Sequence, residues 1–517
     1  MSASLSGNAA GIMPRRYGRR QRRAARRKTA ECASRRGIRL QETVSVPSPL
    51  PFQAYLRASS ADNIVPAAGR SGGGKAWGGE RMDMHVRHDI ARLVEADRVH
   101  RSVYADPAIF DLEMARIFGR AWVYVGHESQ IPNPGDYHQA LIGRQSVFMV
   151  RAPEGDVHVL FNRCAHKGAQ LVAFPDGNVG KFIRCPFHGW NYRCDGALHS
   201  VPVREGYAGT RFDMSDPQFS VRRVPRQASY RGFVFASLAA DGPDLESFLG
   251  GIRTSLDNFC DRAPAGEVEV AGGVFRVWQH SNWKIFFENL NDTSHPMVTH
   301  ESSVNAARAK YKAMTGEAKM PFRLLIIEGN GEPYEFWDKL EMVAYDHGHS
   351  YMGAIFVPPT DPVSLAHIES LKAAYGEART QEILNIQRHN SIIYPSCSPH
   401  TSFQQLRVIR PIAVDRTLVE IYTFRLKGAP DALFRRAITY ANVVNSPSSN
   451  VMPDDIEVYA RCQQGLASEG GEWVSLHRDA GRDRPIQGGF VANGLSELPM
   501  RNQFRAWLGY MTRERAA

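Results

Sequence analysis

The 517 residues hold 43% hydrophobic and 22% charged side chains, the balance of a globular chain with room for two or three domains. The net charge of +10 belongs to one end: residues 1–80 carry 15 Lys/Arg against 4 Asp/Glu and the rest carries 48 against 49, so the body of the chain lacks the electrostatic footprint of a nucleic-acid or membrane-surface protein. No run of eighteen or more apolar residues occurs, and no segment reads as a membrane-spanning helix.

Residues 1–81 open with Arg15, Arg16, Arg19 and Arg20, continue through the Arg22 to Lys28 cluster, and then turn Pro-, Ser- and Gly-rich. They are expected to be a disordered basic tail or an upstream mis-start ahead of Met82 or Met84. No apolar stretch follows the paired arginines, which argues against a twin-arginine export signal. Residues 82–120 should supply two short helices, over 88–96 with Ile90, Leu93 and Val94 at helical spacing, and over 107–118. Residues 121–240 change texture: short β-branched and aromatic runs such as Val147 to Val150, Val157 to Phe161 and Gly232 to Phe235 alternate with Gly, Pro and Asp turns, an all-β module. Residues 241–517 return to a mixture. A helix is predicted over 243–260, a strand over 273–278, a helical region over 283–300, and strands over 350–357, 391–394, 404–409 and 418–426, with helical segments over 455–465 and 500–513 to close. The fold class is α+β, a β module set into an α+β domain. Seven cysteines, odd in number and scattered, give no disulfide framework and fit a reducing, cytoplasmic compartment.

Cys164-Ala165-His166 and Cys185-Pro186-Phe187-His188 each follow a strand-like run, and each offers one thiolate and one imidazole. That mixture suits a [2Fe–2S] cluster in which one iron takes both sulfurs and the other both nitrogens. A structural zinc site also uses two cysteines and two histidines, but finger spacing keeps the cysteines together and the histidines together. Gly168 and Gly189 let the loops fold tightly, and Trp190 and Tyr192 can shield a cluster from water. Cys194 matches no ligand position and is expected to be a packed thiol.

Such a cluster moves single electrons, and it leaves most of the chain unexplained. In the 283–300 segment His295 and His300 are five apart, about 140° on a straight helix, so they cannot share a metal unless the helix is broken. Pro296 is expected to break it just after His295. Two histidines and one carboxylate leave open positions on Fe(II), and the carboxylate is sought in Asp454-Asp455-Ile456-Glu457, where either aspartate could instead cap a helix.

These residues resemble the large subunits of Rieske non-haem iron aromatic-ring-hydroxylating oxygenases, over roughly residues 85–515. The resemblance rests on Asn162 through Gly168, Cys185 through Trp190, Asn282-Trp283-Lys284, Glu288-Asn289, and Asp292 three residues before His295. It implies an all-β Rieske domain inserted in a catalytic domain with a curved antiparallel sheet and covering helices. It implies Cys164, His166, Cys185 and His188 as cluster ligands. It implies His295, His300 and Asp455 as ligands of a mononuclear Fe(II), with Asp454 the fallback. Asp292 would link His295 of one subunit to a cluster histidine, His188, of its neighbour, in a head-to-tail homotrimer. It also implies a small beta subunit, which joins in some members, and a reductase, in some cases with a ferredoxin, that would bring electrons from NAD(P)H. Ser294 departs from the pattern, since many members carry an aromatic residue there. The Glu288 to Asp292 spacing is similar to the branch acting on aromatic carboxylates, although that branch often has lysine at the place of Asn291.

The activity so implied is hydroxylation, as cis-dihydroxylation, of an aromatic substrate with dioxygen. Arg407, in the strand over 404–409, is a candidate to hold a substrate carboxylate through a bidentate pair. The alternative is an ordinary exposed or salt-bridged arginine. A monooxygenase or demethylase would keep both metal sites, and a bare electron carrier would need only the cluster.

Overall fold

The computed structural model describes residues 90–314 and 319–513. The basic stretch 1–81 lies outside the described residues, as do positions 88 and 89 of the first expected helix. The described part of that helix is a correction. Only residues 90 and 91 are helical, Val94 bridges Val99, and Arg98–His100 pairs antiparallel with Trp473–Ser475. Arg98 lies over the Trp473 ring at 4.2 Å. A segment this short has little helical stability of its own, so the pairing decides it. The next helix forms as expected over Pro107–Arg116, with Asp106 accepting from the Ala108 N–H at 2.8 Å and Pro107 in the first turn.

The β module is built from three small antiparallel sheets, two of which enclose a core of their own. Val157–Phe161, Gln145–Arg151, Asp136–Ile142 and Asp176–Asn178 form one sheet in that order. Ile183–Arg184, Asn191–Tyr192 and Leu198–Ser200 form a second, and Arg226–Tyr230, Phe233–Ser237 and Val123–His127 a third. Phe148, Leu160, Trp190 and Tyr192 fill the space between the first two. Both Cys/His loops leave strands at this core.

The larger α+β part carries two antiparallel sheets, Val268–Gln279/Arg416–Leu426/Gln405–Ala413/Cys397–His400 and Arg388–Ile392/Ser350–Gly353/Glu341–Tyr345/Gly489–Asn493/Arg484–Ile486. Bulges between Ala271 and Val274 and between Pro411 and Ala413 bend the first sheet. Gly272 and Gly273 sit in the left-handed region there, at φ 77° and 82°. The strand expected over 350–357 stops at Gly353, and that over 391–394 lies earlier, at Arg388–Ile392.

Helices Trp283–Leu290 and Leu498–Thr512 pack with Pro107–Arg116 around one buried charge. Glu113, fully buried, accepts from Trp283 Nε1 at 2.8 Å, Trp507 Nε1 at 2.6 Å and Lys284 Nζ at 2.5 Å. Three helices distant in sequence are thereby fixed to one carboxylate, with every strong donor satisfied. Among the described residues no helix is long and apolar enough to cross a membrane.

Candidate metal centres

The two Cys/His loops are built alike. The Cys164 N–H donates to Ala169 O at 2.8 Å and the Gly168 N–H to Cys164 O at 3.0 Å; the Cys185 N–H donates to Trp190 O at 2.8 Å and the Gly189 N–H to Cys185 O at 3.2 Å. Gly168 and Gly189 take φ of 74° and 67°, which a residue with a Cβ rarely adopts. Cys164 and Cys185 are buried, and Cys164 Sγ lies 3.0 Å from the Tyr192 hydroxyl. The His166 ring stacks on Trp190, centroids 4.7 Å apart and planes 4° apart, and stands 4.7 Å from the His188 ring. His166 Nδ1 is buried without a partner. Burial pushes the Cys164 thiol up, a cost that a bound metal cation reverses by taking the thiolate.

Among the described residues, two sets of three or more donors have atoms all within 4.8 Å of one another: His295, His300 and Asp455, and Glu154, Asp156 and His158. The Cys/His quartet is not one of them. Two sulfurs on one side and two nitrogens on the other fit a two-iron cluster better than one zinc ion. Cys194 is buried in the module core, as expected of a packed thiol.

The second centre is assembled from two helix starts. The Trp283–Leu290 helix is capped by Asn282 and ends at Leu290. The break therefore falls at residues 291–294, not after His295. Pro296 begins a new helix, Pro296–Thr299, with His295 at its N-cap. This corrects the reason for convergence: proline is favoured at a first helical position, where its missing N–H costs nothing. His295 and His300 rings then stand 5.7 Å apart.

The Met452–Ala467 helix brings Asp454 and Asp455 in its first turn. Asp455 Oδ1 lies 3.8 Å from His295 Nε2 and 3.5 Å from His300 Nε2. Asp454 is on the other side, its Oδ2 3.2 Å from His300 Nδ1 and accepting from Ser303 Oγ at 3.2 Å. Asn289, quoted from the sequence but given no role there, donates from Nδ2 to Asp455 Oδ1 at 3.2 Å and lies 3.0 Å from His295 Nε2. Burial raises the Asp455 carboxyl even against the pull of His300 and His295. A buried carboxylate facing two imidazole nitrogens is the donor set a divalent cation satisfies. His295 Nδ1 is buried without a hydrogen-bond partner and faces Asp292 Oδ2 at 3.8 Å.

His295, His300, Asp455, Asn289 and Asp292 line a cavity of about 100 Å³ with Phe286, Leu290 and Met352. Arg407 also lines it. The residue is only 4% exposed, and its guanidinium donates from Nη1 to Asn390 Oδ1 at 2.8 Å and makes no ion pair among the described residues. Arg407 is thus neither exposed nor salt-bridged. His389 and Tyr440, which the sequence did not single out, line the same cavity.

A centre that stores an electron, in one fold, and an iron site with open positions, in the next, belong together in one class of protein, the Rieske non-haem iron oxygenases. The Rieske [2Fe-2S] domain profile matches residues 121–213, and the ring-hydroxylating alpha subunit catalytic domain profile matches residues 262–513. The chain is 35% identical over 399 residues to the toluate 1,2-dioxygenase alpha subunit of Pseudomonas putida, covering 75% of this chain and 85% of that one. It is 33% identical over 405 residues to the 2-halobenzoate 1,2-dioxygenase large subunit of Burkholderia cepacia, covering 76% and 84%. The crystal structure of naphthalene 1,2-dioxygenase from Rhodococcus sp. bound to indole aligns with a TM-score of 0.68 at 25% identity, over 84% of this chain and 98% of that one. The chain belongs to the family of ring-hydroxylating dioxygenase large (alpha) subunits. It is an oxidoreductase whose cofactors are a Rieske [2Fe-2S] cluster and a mononuclear iron.

Proposed function

We propose that this subunit dihydroxylates an aromatic carboxylate, and that Arg407 holds the carboxylate. One observation carries the reading: a buried arginine that makes no ion pair among the described residues lines the same cavity as His295, His300 and Asp455. A buried charge without an ion-pair partner is costly, and a substrate carboxylate paired with the guanidinium removes that cost while fixing the ring. Burial lowers the Arg407 pKa, yet a guanidinium stays charged in any protein. The toluate and halobenzoate specificities of the two relatives support the same substrate class.

In this reading Cys164, His166, Cys185 and His188 hold the cluster, and His295, His300 and Asp455 hold the iron, with Asp454 orienting His300 through Nδ1. When bound, the cluster supplies a one-electron store and the iron supplies open positions for dioxygen chemistry. Asp292 orients His295 and faces a cluster histidine, His188, of a neighbouring copy, in a homotrimer of large subunits that a small beta subunit can join. The Rieske domain spans residues 121–240 and the catalytic domain 82–120 with 241–517, in a cytoplasmic enzyme.

The test is a product screen with a surrogate reductase and ¹⁸O₂, setting benzoates against arenes of similar size without the carboxylate. Wild type should form doubly labelled diols from the benzoates. Arg407→Gln should raise KM for benzoates by about 100-fold, the loss of a charge-assisted pair worth roughly 3 kcal/mol, and leave uncharged arenes little changed. Equal turnover of charged and uncharged substrates by wild type would sink the proposal.

A further inference from the structure

Ser294, which departs from the family pattern, is part of a small polar device around Asp292. Asp292 Oδ1 accepts from the Ser294 N–H at 2.8 Å and from the Ser294 hydroxyl at 2.7 Å. Arg478 donates from Nη1 to Ser294 Oγ at 2.8 Å and from Nη2 to the same Asp292 Oδ1 at 3.4 Å. The roles are compatible: a hydroxyl has one proton to give, here to Asp292, and lone pairs to receive, here from Arg478. Asp292 Oδ2 is left for His295 Nδ1, 3.8 Å away.

Arg478 is itself held. Its backbone N–H donates to Glu497 Oε2 at 2.9 Å, and Nη2 lies 3.5 Å from Glu497 Oε1. Arg501, buried on the Leu498–Thr512 helix, donates to Leu476 O at 3.1 Å, to Arg478 O at 2.9 Å and to Asp483 Oδ1 at 2.8 Å. The loop carrying Arg478 is thus bolted to the helix that Trp507 ties to Glu113.

We infer that Arg478 is a positioning residue, which with Ser294 occupies one oxygen of Asp292 and turns the other toward His295 and the cluster histidine of a neighbouring copy. This rests on the reading of Asp292 as the link between the two centres. An alanine or an aromatic residue at 294 could not pass Arg478's contact on, because it lacks the hydroxyl.

The test uses the purified holoenzyme and its Arg478→Met, Arg478→Lys, Ser294→Ala and Asp292→Asn variants, each checked for thermal midpoint and iron content. Two quantities are read. One is the rate at which the reduced cluster is reoxidised, followed by its visible absorbance after mixing with benzoate and dioxygen at saturating Fe(II). The other is the anaerobic Fe(II) affinity of protein depleted of mononuclear iron. Arg478→Met should lower each by about tenfold, the usual scale for losing a partner behind a metal ligand, with the cluster midpoint potential unchanged. Arg478→Lys should recover part of the loss, and Ser294→Ala should shift both in the same direction. Wild-type values for Arg478→Met, or a lysine variant as impaired as the methionine one, overturn the inference. If Arg478→Met does not fold, Ser294→Ala decides: wild-type values there overturn it as well. Asp292→Asn separates the two levels. A wild-type reoxidation rate in that variant sinks the bridging role of Asp292, whereas a slow rate there beside an unaffected Arg478→Met sinks only the part given to Arg478.

Discussion

The two metal centres are made in opposite ways. The cluster site is local: two loops with the same backbone hydrogen bonds, each closed by a left-handed glycine, project from one small β module. The proposed mononuclear site is remote: His295 and His300 come from one helix junction, and Asp455 comes from a helix more than 150 positions later in the chain. The first is shaped by short-range geometry. The second depends on the packing that sets one helix against another, and on the buried Glu113 anchor beneath it. Damage should therefore spread differently from each.

The largest expected effects come from removing ligands. His300→Ala should abolish turnover and mononuclear iron while the cluster absorbance stays, because nothing in the β module leans on His300. His188→Ala should do the reverse, losing the cluster absorbance while Fe(II) still binds at His295, His300 and Asp455. Asp455→Asn against Asp454→Asn sharpens the second centre. Asp455 faces both Nε2 atoms and Asp454 only the Nδ1 of His300, so the first change should abolish activity and the second should lower it by about tenfold. Iron content and product yield check each pair. Loss of both centres from a single ligand change would end the contrast.

The same contrast explains what could be read from the sequence. The Cys/His loops stood out in the sequence because the four candidate ligands, the glycines and their spacing lie within 26 consecutive positions. The histidine pair was legible as residues but not as a shape. Pro296 drew attention as a breaker, whereas the chain uses it to start a helix, and the actual break at residues 291–294 is held by Ser294 on Asp292. Spacing alone did not separate Asp454 from Asp455, and the choice of Asp455 came from the family resemblance: adjacent positions on a helix differ by about 100° in direction, and the packed partner reveals which faces inward. Arg407 was visible on its strand but its burial was not. Arg478 and His389 carried no signal of their own, and Asn289 carried a motif but no role: their meaning comes from partners brought close by folding. Among regular elements, the short hairpin at residues 93–100 defeated helical periodicity because its stability comes from Trp473–Ser475.

An intermediate effect tests the anchor. Lys284 and Glu113 are both fully buried and paired. Lys284→Met leaves a buried carboxylate with two indole donors and no counter-charge, which should destabilise the catalytic part by about 3–5 kcal/mol. Denaturant unfolding followed at two signals, cluster absorbance and tryptophan fluorescence, checks it. The fluorescence transition should move to lower denaturant by more than the cluster transition does. Transitions that move together would mean that the β module and the α+β part unfold as one unit, and the contrast would hold for ligand geometry but not for stability.

The smallest effect belongs to the cluster and is a matter of potential. The Tyr192 hydroxyl lies 3.0 Å from Cys164 Sγ and receives the Ala165 N–H at 3.2 Å. With its lone pair engaged by that N–H, its proton is free to point at the sulfur. Burial is the main cause that pushes the Tyr192 phenol up, with the bond to Cys164 adding to it, so the phenol is protonated throughout the working range and the donor is always present. A donor on a cluster sulfur stabilises the more negative, reduced form. Tyr192→Phe should therefore lower the midpoint potential while leaving iron content and Fe(II) affinity at the mononuclear site as they were, since hydrogen bonds to sulfur are among the determinants of such potentials. Redox titration of the variant checks it. A potential that does not fall would show that the hydroxyl serves only to pin the Ala165 backbone, and that the loops alone, without their tyrosine, set the electronic character of the cluster.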